Sequence, residues 1–151
     1  MIAPAHPVID RLFASLPVTE LWLPILFGGD RKYCCDEAAV IEIEGKIVSL
    51  ATIAPNGEEN SGEPTIVGLY TVEPHRELGY GRMVMIEAIE RCIERGFQKI
   101  RIDVISIQAR NLILTLPKHL LDRVDIHLVS QLIETLELVL GKSATGGGSG
   151  L

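Results

Sequence analysis

The sequence predicts an α/β fold with a central mixed sheet and helices on both sides. Three observations carry that expectation. An apolar run, Thr65 to Val72, leads through a glycine turn into an amphipathic stretch, Met83 to Arg95. A second β-branched run, Ile100 to Ile105, follows it, so strand, helix and strand alternate as in a crossover unit. Upstream, Ala39 to Glu44 and Lys46 to Ile53 flank Glu44-Gly45 and read as a hairpin. A chain of 151 residues is long enough for one domain with a real core and too short for two. The domain is expected over residues 1–142, with 143–151 a flexible Gly/Ser-rich tail.

Each element has its own local reason. Val8, Ile9, Leu12, Phe13 and Leu16 recur at helical spacing, and Pro17 closes that helix. Thr19 caps a second, short helix through Leu21, Trp22, Ile25 and Leu26, broken by Pro24 and ended by Gly28-Gly29. The stretch from Pro55-Asn56-Gly57 to Glu63-Pro64 carries turn chemistry throughout. Between Gly81 and Gly96, Met85, Ile86, Ile89, Cys92 and Ile93 form one stripe, while Glu87, Glu90, Arg91 and Glu94 face out. Gly96 sits at the C-terminal stop. Ala109 to Leu121 is helix-like until Pro117, and Val124 to Val129 reads as a short strand. Ser130 caps a last helix on Leu132, Ile133, Leu136, Val139 and Leu140; the alternation of Leu136, Leu138 and Leu140 keeps a strand open there.

Composition narrows the function. A net charge of −6 speaks against a nucleic-acid partner, which needs a dense basic face. Aromatic residues make up only 5% of the chain, so the core has to be aliphatic. Cys34, Cys35 and Cys92 make no disulfide framework and no zinc spacing, and no metal site is expected. This usage fits a reducing, cytoplasmic setting. No apolar run is long enough to span a membrane, and the N-terminus lacks a secretory signal.

The run Val72-Glu73-Pro74-His75-Arg76-Glu77-Leu78-Gly79-Tyr80-Gly81-Arg82 carries the chemistry. A strand enters it and a helix leaves it. The first N–H groups of a helix have no intrahelical partner, and the helix dipole adds positive potential there. Such a turn holds a diphosphate without dedicated lysines. A dinucleotide fingerprint is ruled out because position 84 is Val where a third glycine is required.

The run resembles the acetyl-CoA signature of the GNAT family of N-acetyltransferases, Arg/Gln-x-x-Gly-x-Gly/Ala, as Arg76-x-x-Gly79-x-Gly81. The resemblance extends from about Ala39 to Ile105. It fades over the first 35 residues and leaves a divergent C-terminal third after Ser106. It implies a GNAT-type fold and transfer of an acetyl group from acetyl-CoA to a primary amine. The implied mechanism is direct attack in a ternary complex. The amides of Leu78, Gly79, Tyr80, Gly81 and Arg82 would hold the CoA diphosphate, with Arg76 and Arg82 adding charge. Pantetheine would lie between splayed strands, Leu69 to Val72 and Ile102 to Ile105. An amide near Tyr70 or Val72 would polarise the thioester carbonyl, and Gln108 would touch the pantetheine arm. Glu73, Tyr70 and Asp103 are the candidate catalytic residues: Glu73 or Asp103 as the base that deprotonates the amine, Tyr70 as a lining of the acceptor site.

Two departures from the family stand out. Pro74 lies one residue nearer the first glycine than is usual. The family's tyrosine acid falls at Thr115. The competing reading is therefore a non-catalytic acyl-CoA-binding or interaction module on the same fold. The acceptor is a small-molecule or peptide amine whose identity the residues do not specify. The apolar stripe from Leu132 to Leu140 offers a homodimer contact of the kind many members use.

Overall fold

The computed structural model describes residues 1–15, 34–57, 61–104 and 107–128. The expected second helix, the last helix or strand, and the tail lie outside the described residues, as do Ile105 and Ser106.

Strand β1 (Ile2–Pro4) is followed by helix α1 (Ala5–Ser15), strand β2 (Glu37–Ile43) and strand β3 (Lys46–Ala54). Strand β4 (Thr65–Thr71) leads through a 3₁₀ turn (Glu73–His75) to helix α2 (Tyr80–Glu94). Strand β5 (Ile100–Val104), helix α3 (Ile107–Leu114), helix α4 (Lys118–Leu121) and strand β6 (Val124–Leu128) complete the order. The strands of the described residues form one mixed sheet in the order β1-β2-β3-β4-β5-β6. Pairing is antiparallel from β1 to β4 and parallel from β4 to β6.

The β2–β3 turn is Glu44-Gly45, with φ of 52° and 78°, the primed geometry that matches the twist of the strands. The sheet buries both faces. On one, Val84, Met85, Ala88, Ile89 and Cys92 of α2 pack on Ile53, Ile66, Ile100 and Ile102. On the other, Val8, Ile9 and Leu12 of α1 pack on Leu50, Val67 and Tyr70. The cores are aliphatic, as the scarcity of aromatics requires. The buried stripe of α2 includes Val84 and Ala88, while Ile86 and Ile93 sit at its half-buried edge. Each fully buried Ile or Leu contributes about 1.5–3 kcal/mol of transfer free energy, enough to fix the helix on the sheet before any polar contact is counted. Burial pushes the Cys92 thiol up to about 12, so it stays neutral as a small core hydrophobe.

Two bulges distort the antiparallel half. Ile41 pairs with Ser49 but Glu42 with Ile47, which leaves Val48 extra. Thr52 pairs with Gly68 but Ile53 with Ile66, which leaves Val67 extra. The second bulge changes which edge of β4 each peptide group faces, and that decides the site.

Candidate functional site

Strands β4 and β5 pair only at Thr65 with Arg101 and Ile66 with Ile102. Beyond Ile66 they part, whereas β5 and β6 stay in register from Ile100 to Val104. The gap holds a cavity of about 30 Å³ whose walls include Gly68 and Leu69 of β4, Asp103 of β5, and Met85 and Ile113 behind.

The hydrogen-bond parity of β4 is set by its end. Val72 donates its N–H to the Val48 carbonyl at 2.8 Å, and its own carbonyl accepts from His75. Bonded pairs in an antiparallel ladder alternate. The peptide groups of Tyr70 therefore face β3, and those of Leu69 and Thr71 face the gap. This narrows the expected amide near Tyr70 or Val72 to their neighbours: the amides of Tyr70 and Val72 themselves are inside the sheet, so Val72 is displaced as a backbone contact, and Leu69 and Thr71 face the gap. The bulge at Val67, which no residue pattern announces, causes the shift.

The Tyr70 side chain is buried in the α1-side core, and the Arg76 guanidinium lies 5.4 Å from the centre of its ring. Asp103 lies on the strand face shared with Arg101, opposite Ile102 and Val104. Its carboxylate is 7% exposed and accepts from Arg101 Nε at 2.6 Å. Register sets His127 beside Asp103 and Asp125 beside Arg101 on β6. Glu73 is exposed in the 3₁₀ turn, where its carbonyl accepts from the Arg76 N–H. Glu73 and Asp103 are thus on separate elements, and only Asp103 lines the cavity.

The glycine turn is open. Its middle is left-handed at Glu77 (φ 64°) and Gly79 (φ 85°), with Leu78 61% exposed between them. Gly79 is the N-cap of α2, and its carbonyl accepts from Met83. Among the described residues, no acceptor engages the amides of Leu78, Gly79, Tyr80, Gly81 or Arg82. Gly81 lies close above the sheet: a Cβ there would stand 3.5 Å from Thr71 Oγ1 and 3.4 Å from Leu112 Cδ1. The side-chain cations near this turn reach for protein carbonyls. Arg76 Nε donates to Thr71 O at 2.8 Å, and Arg82 Nη2 to Thr115 O at 3.3 Å.

Gln108 is exposed in the first turn of α3, next in sequence to Ala109 of the cavity wall. Thr115, where a tyrosine is expected, is exposed and donates its hydroxyl to Leu112 O at 2.6 Å. The residue that sequence reasoning passed over is Thr71. Its side chain meets Ser49 Oγ at 2.8 Å, and its carbonyl takes Arg76.

Among the described residues there is no helix long and apolar enough to cross a membrane and no cluster of side chains suited to a metal ion. A model of the acetyltransferase (GNAT) family matches residues 9–113. Among curated protein sequences none matches the chain significantly. The fold is similar to that of a ribosomal-protein-alanine N-acetyltransferase from Brucella melitensis biovar Abortus 2308, with a TM-score of 0.51 and 17% identity over 76% of this chain and 88% of that one. It also resembles a transcriptional regulator from Bacillus halodurans C-125, at a TM-score of 0.47 and 21% identity over 78% of this chain and 92% of that one. A third similar structure is an aminoglycoside acetyltransferase from an uncultured soil metagenomic sample, in complex with sisomicin. It has a TM-score of 0.46 and 20% identity, over 78% of this chain and 88% of that one. With the family model spanning strands β2 to β5, the open turn and most of α3, the chain belongs to the acetyltransferase (GNAT) family.

Proposed function

We propose that this chain is an N-acetyltransferase that moves the acetyl group of acetyl-CoA to a primary amine by direct attack in a ternary complex. The observation that carries this reading is the row of amides from Leu78 to Arg82 at the open N-terminus of α2, unengaged among the described residues. A diphosphate is the ligand such a row accepts, because several N–H donors and the positive end of a helix converge on it.

The residues fit CoA. Bound there, acetyl-CoA supplies the thioester that is consumed in the reaction. The turn amides and the Arg76 and Arg82 charges would hold its diphosphate. The backbone of Leu69 and Thr71 would line the pantetheine arm, and Gln108 would touch it. An amide facing the gap also offers a fixed donor for developing negative charge on the acyl oxygen. The incoming amine has to lose its proton before it attacks. Asp103 is the acidic residue whose strand segment lines the cavity, so it is the base in this reading, acting directly or through one water. Glu73 is the alternative base at the far end of β4.

A second reading, binding of acyl-CoA without turnover, draws on Thr115, which gives the site no phenol to protonate a departing thiolate. One experiment separates the two. Acetyl-CoA is offered with a panel of primary amines, and free CoA thiol is followed along with thermal unfolding. Thiol release that depends on the amine supports the transferase. Stabilisation by CoA without thiol release from any amine supports the binding module; ligand at 100 times its Kd raises stability by about 2.7 kcal/mol. Asp103→Asn should then lower the amine-dependent rate about 100-fold or more, the typical contribution of a positioned base, and Glu73→Gln should leave it within about twofold.

A further inference from the structure

Thr71 joins three parts of the site. Its backbone faces the β4–β5 gap, its carbonyl takes Arg76, and its side chain lies under Gly81 in the first turn of α2. Its hydroxyl meets that of Ser49, on the neighbouring strand, at 2.8 Å. The two hydroxyls carry two protons, and one lies between the oxygens. The position of the other follows from burial. Ser49 is 0% exposed, and among the described residues it has Thr71 as its side-chain partner. If Thr71 donated, the Ser49 proton would be shut in with no acceptor, at the desolvation cost of a buried unpaired donor. Ser49 is therefore the donor. Thr71 is half-buried and keeps its proton for a partner on the cofactor side.

We infer that Thr71 Oγ1 is a cofactor-binding hydroxyl, held in aim by Ser49, that donates to an oxygen of CoA where the diphosphate meets the pantetheine arm. The inference rests on the reading under Proposed function. Ser49 fixes the Thr71 hydroxyl as acceptor on one side, so the free proton does not have to be reoriented on binding. A donor aimed in advance adds affinity because less ordering is left for the binding step.

The test is calorimetric titration of the full chain with CoA and with adenosine 3′-phosphate 5′-diphosphate, which has the diphosphate but no pantetheine arm. Thr71→Val is nearly the same size and lacks the hydroxyl; it should weaken CoA binding about tenfold, the loss of one hydrogen bond. Thr71→Ser should hold the affinity within about twofold, since it keeps the donor. Loss on CoA alone places the acceptor on the pantetheine arm, and equal loss on both ligands places it on the diphosphate. Either result supports the inference. An unchanged CoA affinity for Thr71→Val, or a Thr71→Ser variant as weak as Thr71→Val, overturns it. Thermal unfolding of each variant checks that the strand is intact. If the parent chain binds no CoA at all, the functional reading falls and this inference falls with it.

Discussion

At its C-terminal end helix α2 is closed by the protein's own groups; at its N-terminal end it is left open. Phe97 donates back to the Cys92 carbonyl and Gly96 to the Ile93 carbonyl, with Gly96 left-handed at φ 92°. That pair of bonds satisfies the last carbonyls in the manner of a Schellman cap. The side chains there are also paired. Arg91 Nε and Nη2 meet the two Glu37 oxygens at 3.0 and 3.1 Å. Arg95 reaches Asp36 at 2.9 Å and Glu37 at 2.8 Å. The hydrogen bonds that Arg95 donates to Asp36 and burial act in opposite directions on Arg95; the hydrogen bonding is the larger and raises its pKa. At the other end, Gly79 caps the helix with no side-chain acceptor, and five successive amides have none among the described residues. One helix thus has a terminus closed by the protein's own groups and a terminus left open, where we place the cofactor.

The largest expected effect breaks the open end. Gly81→Val drives a branched side chain against Thr71 and Leu112 and displaces the turn that carries the amides, and Gly79→Val forces a β-branched residue into the left-handed region. CoA binding should fall by more than about 100-fold, the loss of two or more charge-assisted hydrogen bonds. Circular dichroism should show the parent's helix content for Gly81→Val. Gly79→Val should add a strain of about 1–2 kcal/mol. Parental CoA affinity in either variant would detach the turn from the cofactor.

The closed end predicts the opposite pattern. Glu37→Gln keeps the shape and removes the charge shared by Arg91 and Arg95. Those groups are about a quarter exposed, so solvent screening limits the loss of stability to about 1 kcal/mol. CoA affinity should stay within twofold of the parent. Urea unfolding and calorimetry on the same variant measure both quantities.

The smallest effect sharpens the comparison at Glu77. This residue holds φ 64° without being glycine and brings a negative charge to the turn proposed to hold the diphosphate. Glu77→Gly relieves the left-handed strain at the cost of backbone entropy, for a net gain of about 0.5–1 kcal/mol. It also removes a like charge, so CoA should bind a few-fold more tightly. Weaker CoA binding in Glu77→Gly would mean that the carboxylate serves the ligand.

The part of the site that was legible in the sequence is the part built from local chemistry. The strand from Thr65, the Arg76–Gly81 turn and the α2 stripe repeat at spacings that belong to one secondary structure each. The hairpin around Glu44-Gly45 was equally plain, because two β-branched runs flank a turn dipeptide. Strand β1 was not foreseen: it is three residues long, carries Pro4, and exists because it pairs with Glu37, Ala38 and Ala39. Helix α4, four residues after Pro117, was missed for the same shortness. The offset from Val72 to Thr71 was out of reach for a different reason. It comes from a bulge at Val67, whose register is set by the partner strand rather than by its own neighbours. The Ser49–Thr71 pair likewise depends on which residues stand opposite one another, and nothing within either strand points to it.

If the open turn is the cofactor site, the amides of residues 78–82 hold CoA. Hydrogen exchange of those amides, followed by NMR with and without saturating CoA, tests it most directly. In the free protein they should exchange quickly while the Gly96 and Phe97 amides are already slow, and CoA should slow residues 78–82 at least about tenfold. Saturation with CoA that leaves residues 78–82 as fast as before, with protection appearing elsewhere, would contradict the account.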